Sequence, residues 1–441
     1  MKARKKYRKD IDLAVELSKV KGNKLLDANL IYDMGFEGMS GSPFKFGTQL
    51  FEINHLLKTA EIARDLLERQ YTPDEGVQFT LRERGKTRFI TSNTMQDKVV
   101  NHLICDHALM GSVQRNTIHD NGASQKGKGV SFHRRRLKQH LLQYFRKYGT
   151  KGYILLIDFS GFYANIPHDK CIAMLTGFIQ KNKNLTESEK VLCLWLIRRI
   201  FKTFEIDVSR FSDEEIEKLM HSKVDPTMNF QVSPESLTGE KFLAKGVDIG
   251  NQISQAVGIA YGYEIDNFIK IINSVKGFGR YTDDLYVFHP DKNFLFNLLD
   301  GIERVAEKWG IIINRKKTRV CPIRRKFRHL QIDYILIETG KVVEKINPKA
   351  VIRERRKLKS YRGLLQSGKM TLNDIENSFK SWLGSFWKYL TTWQAINLGV
   401  LYYTLFGRKI KWRKKGTSRL RWLMEQSWKI YGSTGVTSFQ M

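Results

Sequence analysis

Residues 280–288 read Arg-Tyr-Thr-Asp-Asp-Leu-Tyr-Val-Phe, with two adjacent carboxylates, Asp283 and Asp284, between β-prone residues. The pattern predicts a tight β-hairpin that presents both acids at its turn. One Asp-Asp pair is expected by chance in a chain of 441 residues, and most such pairs lie in solvated turns. The acidic pair alone therefore does not indicate a metal site, and the other motifs of the chain must support that interpretation.

A third acid stands at the end of a predicted buried strand. Residues 152–158 read Gly-Tyr-Ile-Leu-Leu-Ile-Asp, an apolar run that ends abruptly in Asp158. Carboxylates from two strands can hold two divalent ions for in-line phosphoryl transfer. Oxygen ligands and substrate phosphates favour Mg²⁺, with Mn²⁺ as a possible substitute. Asp158 could instead cap the helix that follows it.

The composition indicates a polyanionic partner. The chain has 75 Lys plus Arg against 45 Asp plus Glu, a net charge of +30, which is typical of proteins that bind phosphate backbones. No apolar run approaches 18 residues, so we expect no membrane association and a cytoplasmic location. The cysteines have no paired spacing and are predicted to be reduced core residues: Cys105, Cys171, Cys193 and Cys321.

A basic hairpin is predicted at residues 77–90, where cations recur at every second position. These cations are Arg82, Arg84, Lys86 and Arg88. Residues two apart share one face of a strand, so the pattern predicts a single basic face for phosphate contact. A solvated charged edge would show the same pattern.

Three further basic segments are predicted to contact nucleic acid. They are a Gly-Lys loop at 121–130 with the helix after it, a helix that begins at Pro348 after Asn347, and a tail from residue 408 that mixes cations with tryptophans. A flexible loop and a docked terminal helix are the alternatives for the first and the last. The residues singled out are Lys126, Lys128, Arg134, Arg353, Arg356, Lys357, Lys414 and Lys415.

Several local elements can also be predicted. Glycines at 35–41 should break the N-terminal helices, and Thr186 and Ser212 should each begin a helix with a capping box. Helices are expected at 256–272 and 300–309, and a strand at 311–314. Lys317, just after that strand, could contact a triphosphate or protonate a leaving pyrophosphate, although a surface lysine is the alternative.

The ordered set Asp158, Gly246–Gln255, Tyr281–Asp284 and Lys317-Thr318 resembles the palm motifs of reverse transcriptases, particularly bacterial retroelement-type enzymes related to group II intron polymerases. The resemblance implies an α+β right-hand polymerase with fingers, a palm of antiparallel sheet plus helices, and a helical thumb. The implied segments are an N-terminal helical region at 1–75, fingers at 76–150, a palm at 151–345 with an inserted helical block at 181–244, a thumb at 346–406 and a basic C-terminal tail at 407–441.

The resemblance also implies roles for single residues. Asp158, Asp283 and Asp284 would hold the metal ions with the carbonyl of Phe159, and Tyr163 would block a ribose 2′-hydroxyl. The residues implied to meet the incoming nucleotide are Arg82, Lys86, Arg88, Tyr163, Gly250 and Gln255. The implied partners are an RNA template or structured non-coding RNA, dNTPs and a DNA product, with a homo-oligomer or an accessory protein left open.

The motif from Ile249-Gly250 to Ser254-Gln255 departs from the Gln-Gly and Ser-Pro pattern of many reverse transcriptases. It resembles diversity-generating enzymes and some defence-associated ones. The inserted block and the basic tail favour anti-phage defence. The alternatives are an error-prone reverse transcriptase of a diversity-generating retroelement, a template-independent nucleotide polymerase, and an RNA-scaffolded binding protein, against which the complete acidic triad argues.

Overall fold

The computed structural model describes residues 22–74, 76–83, 86–230, 232–410 and 418–433. The chain divides into two compact units. The first unit comprises the residues up to His140 together with Ile154–Val320, and the second comprises Leu141–Tyr153 with the residues from Cys321 onward. The segment boundaries implied by the resemblance stay predictions.

Helices supply most of the first unit, and π-helical turns at Cys105–Leu109 and Phe268–Ile272 continue two of them. From residue 22 to residue 320 the helices are α1 (Ala28–Ser40), α2 (Phe46–Ile53), α3 (His55–Leu67), α4 (Met95–Ile104), α5 (Met110–Asn116), α6 (Val130–Tyr148), α7 (His168–Gln180), α8 (Glu187–Lys202), α9 (Asp213–His221), α10 (Gln252–Ala260), α11 (Tyr263–Asn267) and α12 (Lys292–Lys308). The strands that begin before residue 320 are β1 (Val77–Glu83), β2 (Lys86–Ser92), β3 (Tyr153–Asp158), β4 (Ile206–Asp207), β5 (Phe242–Leu243), β6 (Phe278–Tyr281), β7 (Asp284–His289) and β8 (Arg319–Pro322).

A four-stranded sheet in the order β6-β7-β3-β8 carries the predicted acidic residues. β6 and β7 are antiparallel, and Tyr281 pairs with Asp284 across a two-residue turn. The central residues of β3, Ile154 to Ile157, are buried, because a continuous apolar strand is stable only with both faces covered. Asp158 is left at the end of that strand. The predicted strand and the predicted hairpin are both confirmed.

β1 and β2 form the predicted antiparallel hairpin, but its cations do not share one face. The register pairs Arg82 with Thr87 and Leu81 with Arg88. Directly paired residues point to the same side of a sheet, and neighbours along a strand point to opposite sides. Arg82 and Arg88 therefore lie on opposite faces. The prediction was wrong because it counted every second residue through a turn that reverses the chain.

Two of the three N-terminal glycines, Gly35 and Gly38, do not break a helix. α1 runs through both Gly35 and Gly38. Gly35 instead permits close packing, because a Cβ at this position would lie 1.9 Å from His55 Nε2. The His55 ring is buried and stacks on Tyr32 with centroids 4.1 Å apart. The predicted break was therefore wrong at Gly35 and Gly38, where glycine serves as the smallest residue. It was right at Gly41, which follows the last residue of α1.

The inserted block begins as predicted. Thr186 and Ser212 form complete capping boxes at the starts of α8 and α9. Between α9 and the short strands β4 and β5, Val208, Val224 and Leu243 form a small hydrophobic cluster of their own. This part of the block therefore has a local core.

Lys245 and Phe230 take part in two of the contacts between the block and the rest of the first unit. Lys245 is 2% exposed, and its ammonium donates at 2.6 to 3.0 Å to three carbonyls at the C-terminal end of α9, those of Leu219, Met220 and Ser222. A cation is favourable at this end of a helix because its last carbonyls lack intrahelical partners. Phe230 packs edge-on against Phe89 of β2, with centroids 6.3 Å apart.

Three other local predictions need correction. Residues 311–314 form no strand, and their ladder contact is a single bridge between Phe159 and Ile313. The helix predicted at 256–272 is interrupted near Gly262, where α10 ends and α11 begins. The helix predicted at 300–309 begins earlier, at Lys292, because Asp291 accepts from the Asn293 N–H as an N-cap.

The second unit contains the antiparallel strands β9 (Phe327–His329), β10 (Ile332–Leu336) and β11 (Val342–Ile346), in the order β11-β10-β9. Asn347 caps the helix after this sheet and Pro348 takes its first position, as predicted. The helices are α13 (Pro348–Gln366), α14 (Leu372–Phe386), α15 (Thr392–Phe406) and α16 (Ser418–Ser433).

Within the described ranges, no helix has both the length and the apolarity that a membrane crossing needs. The four cysteines are free thiols, as predicted. Cys105, Cys171 and Cys193 are buried, and Cys321 is half-buried.

Gly35→Ala tests the close packing in α1. Alanine favours a helix interior by about 1 kcal/mol over glycine, but the new Cβ would overlap the buried ring of His55. We therefore expect a net loss of roughly 2 kcal/mol in the free energy of unfolding, measured with urea. Gly177→Ala in α7 is the matched control, because a Cβ there meets nothing within 4 Å. That variant should gain about 0.5 to 1 kcal/mol, and equal gains in both variants would contradict the packing argument.

Candidate active site

Backbone hydrogen bonds join the end of β3 to the turn between β6 and β7. The Phe159 N–H donates to the Asp283 carbonyl at 3.2 Å. In the turn itself, Thr282 has a φ of 57°. A positive φ at the first turn position is the pattern of type II′ hairpins, which usually place glycine there. The threonine must therefore be held in this conformation by its surroundings.

Asp158 is paired with a cation of the protein. Both of its carboxylate oxygens accept from Lys317 Nζ, at 2.7 and 2.8 Å. Asn314 Nδ2 donates to Asp158 Oδ2 at 3.0 Å, and the Asn314 N–H donates to the Asp158 carbonyl at 2.8 Å. The loop after α12 is thereby fixed to the end of β3. Lys317 is half exposed, so this pair adds little to stability.

Asp284 is the most perturbed acid of the site. Its pKa is raised to about 7, first by burial and then by the negative charges of Asp283 and Asp158. The ammonium of Lys317 opposes this shift. Like charges disfavour ionisation in this way only when they lie close together. The structure thus brings together the four residues that the sequence predicted to be catalytic.

A divalent cation fits this group of acids. Among the residues that the structure describes, no three Asp, Glu, His or Cys side chains already converge into a metal cage. Mg²⁺ does not require one, since it binds through one or two carboxylates together with water and substrate phosphates. Asp158, Asp283, Asp284 and the Phe159 carbonyl offer the hard oxygen donors that it prefers.

Tyr163 packs against a glycine of α10. A Cβ at Gly258 would lie 2.2 Å from the Tyr163 hydroxyl oxygen, so only glycine leaves room for the phenol. The ring also packs edge-on against Phe162, with centroids 5.5 Å apart. Burial, and then the charge of Asp283, raise the pKa of Tyr163 to about 12. Tyr163 is therefore a neutral, fixed side chain close to the turn.

Gly250 lies where the glycine-rich motif meets β2. The Thr91 N–H donates to the Ile249 carbonyl at 3.2 Å, and Ile249 forms a parallel bridge with Ile90. Gly250 has a φ of 121°, and a Cβ there would lie 2.7 Å from the Thr91 carbonyl oxygen. Both conditions require glycine. Gln255, in α10, has an exposed side chain.

The predicted cations of the β1–β2 hairpin and of the Gly-Lys loop differ in accessibility. The side chains of Arg82, Arg88 and Lys126 are exposed. Lys86 belongs to β2, but its side chain lies outside the described residues. Lys128 donates at 2.9 and 3.2 Å to two carbonyls of its own loop, those of His119 and Asn121. Lys128 therefore stabilises the conformation of the loop, whereas the side chain of Lys126 is accessible to solvent.

Arg134 is not on the surface. It is 4% exposed and lies close to Tyr281, where burial raises the pKa of the phenol and the positive charge of Arg134 opposes that rise. The prediction placed it with the exposed cations because a run of arginines does not reveal which side of a helix is buried. In this structure Arg134 supports the hairpin from inside the first unit.

In the second unit, Arg353 and Arg356 are exposed on α13. Lys357 donates to Ser378 Oγ at 2.8 Å and lies over the ring of Tyr361, so it links α13 to α14. The predicted tail contacts, Lys414 and Lys415, lie outside the described residues.

A family model described as reverse transcriptase (RNA-dependent DNA polymerase) matches residues 73–335, more than half of the chain. The chain belongs to the reverse transcriptase family. The matched region contains Asp158, the glycine-rich motif and the acidic hairpin, and the enzyme is an RNA-directed DNA polymerase. The predicted α+β right-hand polymerase fold is confirmed with it, and divalent metal ions are general in this family.

Telomerases are among the solved structures to which this reverse transcriptase is similar. Telomerase from Candida albicans in complex with a TWJ fragment of telomeric RNA is 13% identical with a TM-score of 0.40, over 85% of this chain and 68% of that chain. Apo telomerase from Candida tropicalis is 14% identical with a TM-score of 0.40, over 83% and 68%. Its form truncated from the C-terminal domain is 13% identical with a TM-score of 0.37, over 60% and 54%. No curated protein sequence matches significantly.

Four residues of the site were not predicted from sequence to have a role: Arg280, Asp266, Asn314 and Gly258. For Arg280 the available signal was a charged residue directly before the acidic hairpin turn. No local sequence signal pointed to Asn314, because its partner Asp158 lies 156 residues away in sequence. Gly258 likewise acquires its role from Tyr163, which belongs to a different part of the chain.

The raised pKa of Asp284 predicts a pH-dependent stability of the metal-free reverse transcriptase. Its pKa is about 7 in the folded protein against an ordinary 3.8, so the folded state binds more protons and the free energy of unfolding falls as the pH rises from about 4 to 7. Asp284→Asn removes this effect. With EDTA present, the variant should exceed wild type by roughly 1 to 3 kcal/mol at pH 8 and match it near pH 4.

Urea unfolding at both pH values measures the difference. Asp300→Asn is the control, because Asp300 is an exposed carboxylate on α12. The same pH dependence in both variants would show that net charge, and not the local repulsion, produces the effect.

Proposed function

We propose that this reverse transcriptase copies RNA into DNA by two-metal nucleotidyl transfer, with Asp158, Asp283 and Asp284 holding two Mg²⁺ ions. The supporting observation is the meeting of these carboxylates at the end of β3 and the hairpin turn, where burial, and then the charges of Asp283 and Asp158, raise the pKa of Asp284. When bound, the ions would activate the primer 3′-hydroxyl and neutralise charge on the phosphates.

Other residues complete the site in this proposal. The Phe159 carbonyl joins the carboxylates as an oxygen donor. Lys317 donates the proton that the leaving pyrophosphate takes up, and its hydrogen bond to Asp158 supports this role because it places the ammonium beside the proposed metal ligands. Gly250 permits close approach of the backbone to the nascent base pair, and Gln255 offers it an exposed amide.

The fingers hairpin contacts the triphosphate through one of its two faces. Arg82 and Arg88 are both exposed but lie on opposite faces, so a single nucleotide meets only one of them. The other guanidinium, with Lys126, is then available to the nucleic acid backbone. In the second unit Arg353 and Arg356 serve the same purpose.

The proposed partners are an RNA template or structured non-coding RNA and the DNA product. The net charge of +30 supports them, since cations that neutralise phosphates release counterions and bind tightly at low salt. For the biological role we favour anti-phage defence, supported by the elaborated inserted block with its local core. The alternative is error-prone synthesis in a diversity-generating retroelement, supported by the apolar Ile249 where many reverse transcriptases have glutamine.

The first experiment isolates the enzyme from cells with its bound nucleic acid and sequences both RNA and DNA. The test variant is Asp283→Asn with Asp284→Asn, and the control is Asp300→Asn. DNA complementary to one RNA, present with wild type and control but absent with the test variant, would support the proposal. Untemplated homopolymer lost in the test variant would indicate nucleotide addition, and RNA without DNA in every sample would indicate a scaffold. In vitro, kcat of the test variant should fall at least about 10²-fold.

The contact between Tyr163 and Gly258 predicts how the enzyme selects its sugar. Tyr163→Ala should raise kcat/KM for ribonucleotides relative to deoxynucleotides by about 10- to 100-fold, because one steric contact is worth about 1 to 3 kcal/mol. Gly258→Ala should shift the same ratio, since its Cβ displaces the phenol. Tyr163→Phe is the control and keeps the ring in place. An unchanged ratio in Tyr163→Ala would exclude Tyr163 as the selecting residue.

A further inference from the structure

We infer that the buried ion pair between Arg280 and Asp266 positions the catalytic turn, which makes Arg280 a positioning residue for polymerisation. The inference rests on the proposed roles of Asp283 and Asp284. Arg280 directly precedes the Tyr281–Asp284 hairpin turn in β6, and Asp266 lies in α11. The pair thus connects the strand that carries the turn to the helices behind it.

The ion pair is completely enclosed and bidentate. Arg280 and Asp266 are both 0% exposed. Arg280 Nε donates to Asp266 Oδ1 at 2.8 Å, and Nη2 donates to Oδ2 at 2.8 Å. Two parallel hydrogen bonds between a guanidinium and a carboxylate fix orientation as well as distance. Asp266 therefore determines where the far side of the guanidinium points.

The remaining donors of Arg280 reach backbone carbonyls. Nη1 donates to the carbonyls of Gly258 at 3.2 Å and Thr282 at 3.1 Å, and Nη2 donates to that of Ile259 at 2.7 Å. A guanidinium has five N–H donors, and each has a partner here. Gly258 and Ile259 lie in the last turn of α10, where carbonyls lack intrahelical partners. One side chain thus caps α10 and holds the turn.

The bond to Thr282 is the one that matters for catalysis. Thr282 has the positive φ that threonine rarely adopts, and Asp283 follows it directly. A donor to the Thr282 carbonyl stabilises this peptide orientation and so the direction in which Asp283 leaves the turn. Through the Gly258 carbonyl, the same guanidinium fixes the backbone against which Tyr163 packs.

The energetics favour a positioning role over a stabilising one. Burying an ion pair costs desolvation, and well-packed apolar residues in its place are often as stable or more stable. Lysine cannot replace arginine here, because one nitrogen cannot form a planar fork. The backbone is also shaped to the guanidinium, since a Cβ at Gly262 would lie 2.8 Å from Arg280 Cζ.

The test compares two variants of the full chain on a poly(rA) template with an oligo(dT) primer. Arg280→Met with Asp266→Leu leaves no unpaired buried charge, and Arg280→Lys keeps the charge but loses the fork. In each we expect kcat to fall about 10²-fold, the loss that a small misplacement of catalytic groups produces. KM for the primer-template should stay within about threefold. In both variants the increase in melting temperature on adding Mg²⁺ should be smaller than in wild type. This measurement reports the geometry of the acidic turn independently of polymerase activity.

Lys245→Met is the matched control. It removes another buried cation that donates to three backbone carbonyls, none of which belongs to the turn. Its kcat should stay within about threefold of wild type. Wild-type kcat in a folded Arg280 variant would overturn the inference. An equal loss of kcat in Lys245→Met would also overturn it. So would a rise in KM for the primer-template as large as the loss of kcat, or unfolding of both Arg280 variants. Retained activity in Asp283→Asn with Asp284→Asn would instead overturn the proposed function.

Discussion

Repulsion among Asp158, Asp283 and Asp284 is the constraint on which the rest of the active site depends. Burial of the apolar strand β3 and the hydrogen bond from Phe159 to Asp283 hold the carboxylates close together. Like charges in a poorly solvated site oppose that arrangement. Lys317 neutralises part of the charge at one carboxylate. The pKa of Asp284 is still raised to about 7, first by burial and then by the charges of Asp283 and Asp158.

A site of this kind is kept in place by its surroundings. The acidic turn contains an unfavourable Thr282 conformation, and the acids repel one another, so neither feature would persist in an isolated hairpin. The contacts that maintain them come from the interior: Arg280 on one side, Asn314 on the other, and the buried strand between them. Stability given up at the turn is compensated by packing elsewhere, as is usual for catalytic sites.

Sequence reasoning succeeded where the information is local. The caps at Thr186, Ser212 and Asn347 are complete within four residues, and the acidic hairpin and its strand follow from short apolar patterns. It failed where a distant partner decides the outcome. The faces of Arg82 and Arg88 depend on strand register, and the role of Gly35 depends on His55. Counting cations could not separate the buried Arg134 and the tethered Lys128 from the exposed ones.

The inserted block provides the hydrogen-bond acceptors for a buried cation that lies just outside it, Lys245. All three carbonyls that accept from the Lys245 ammonium lie between residues 206 and 243. Deleting residues 206–243 would leave the buried ammonium of Lys245 without its hydrogen-bond acceptors. It would also remove the contact between Phe230 and Phe89. A minimised version of the enzyme would therefore need an apolar residue at position 245 as well.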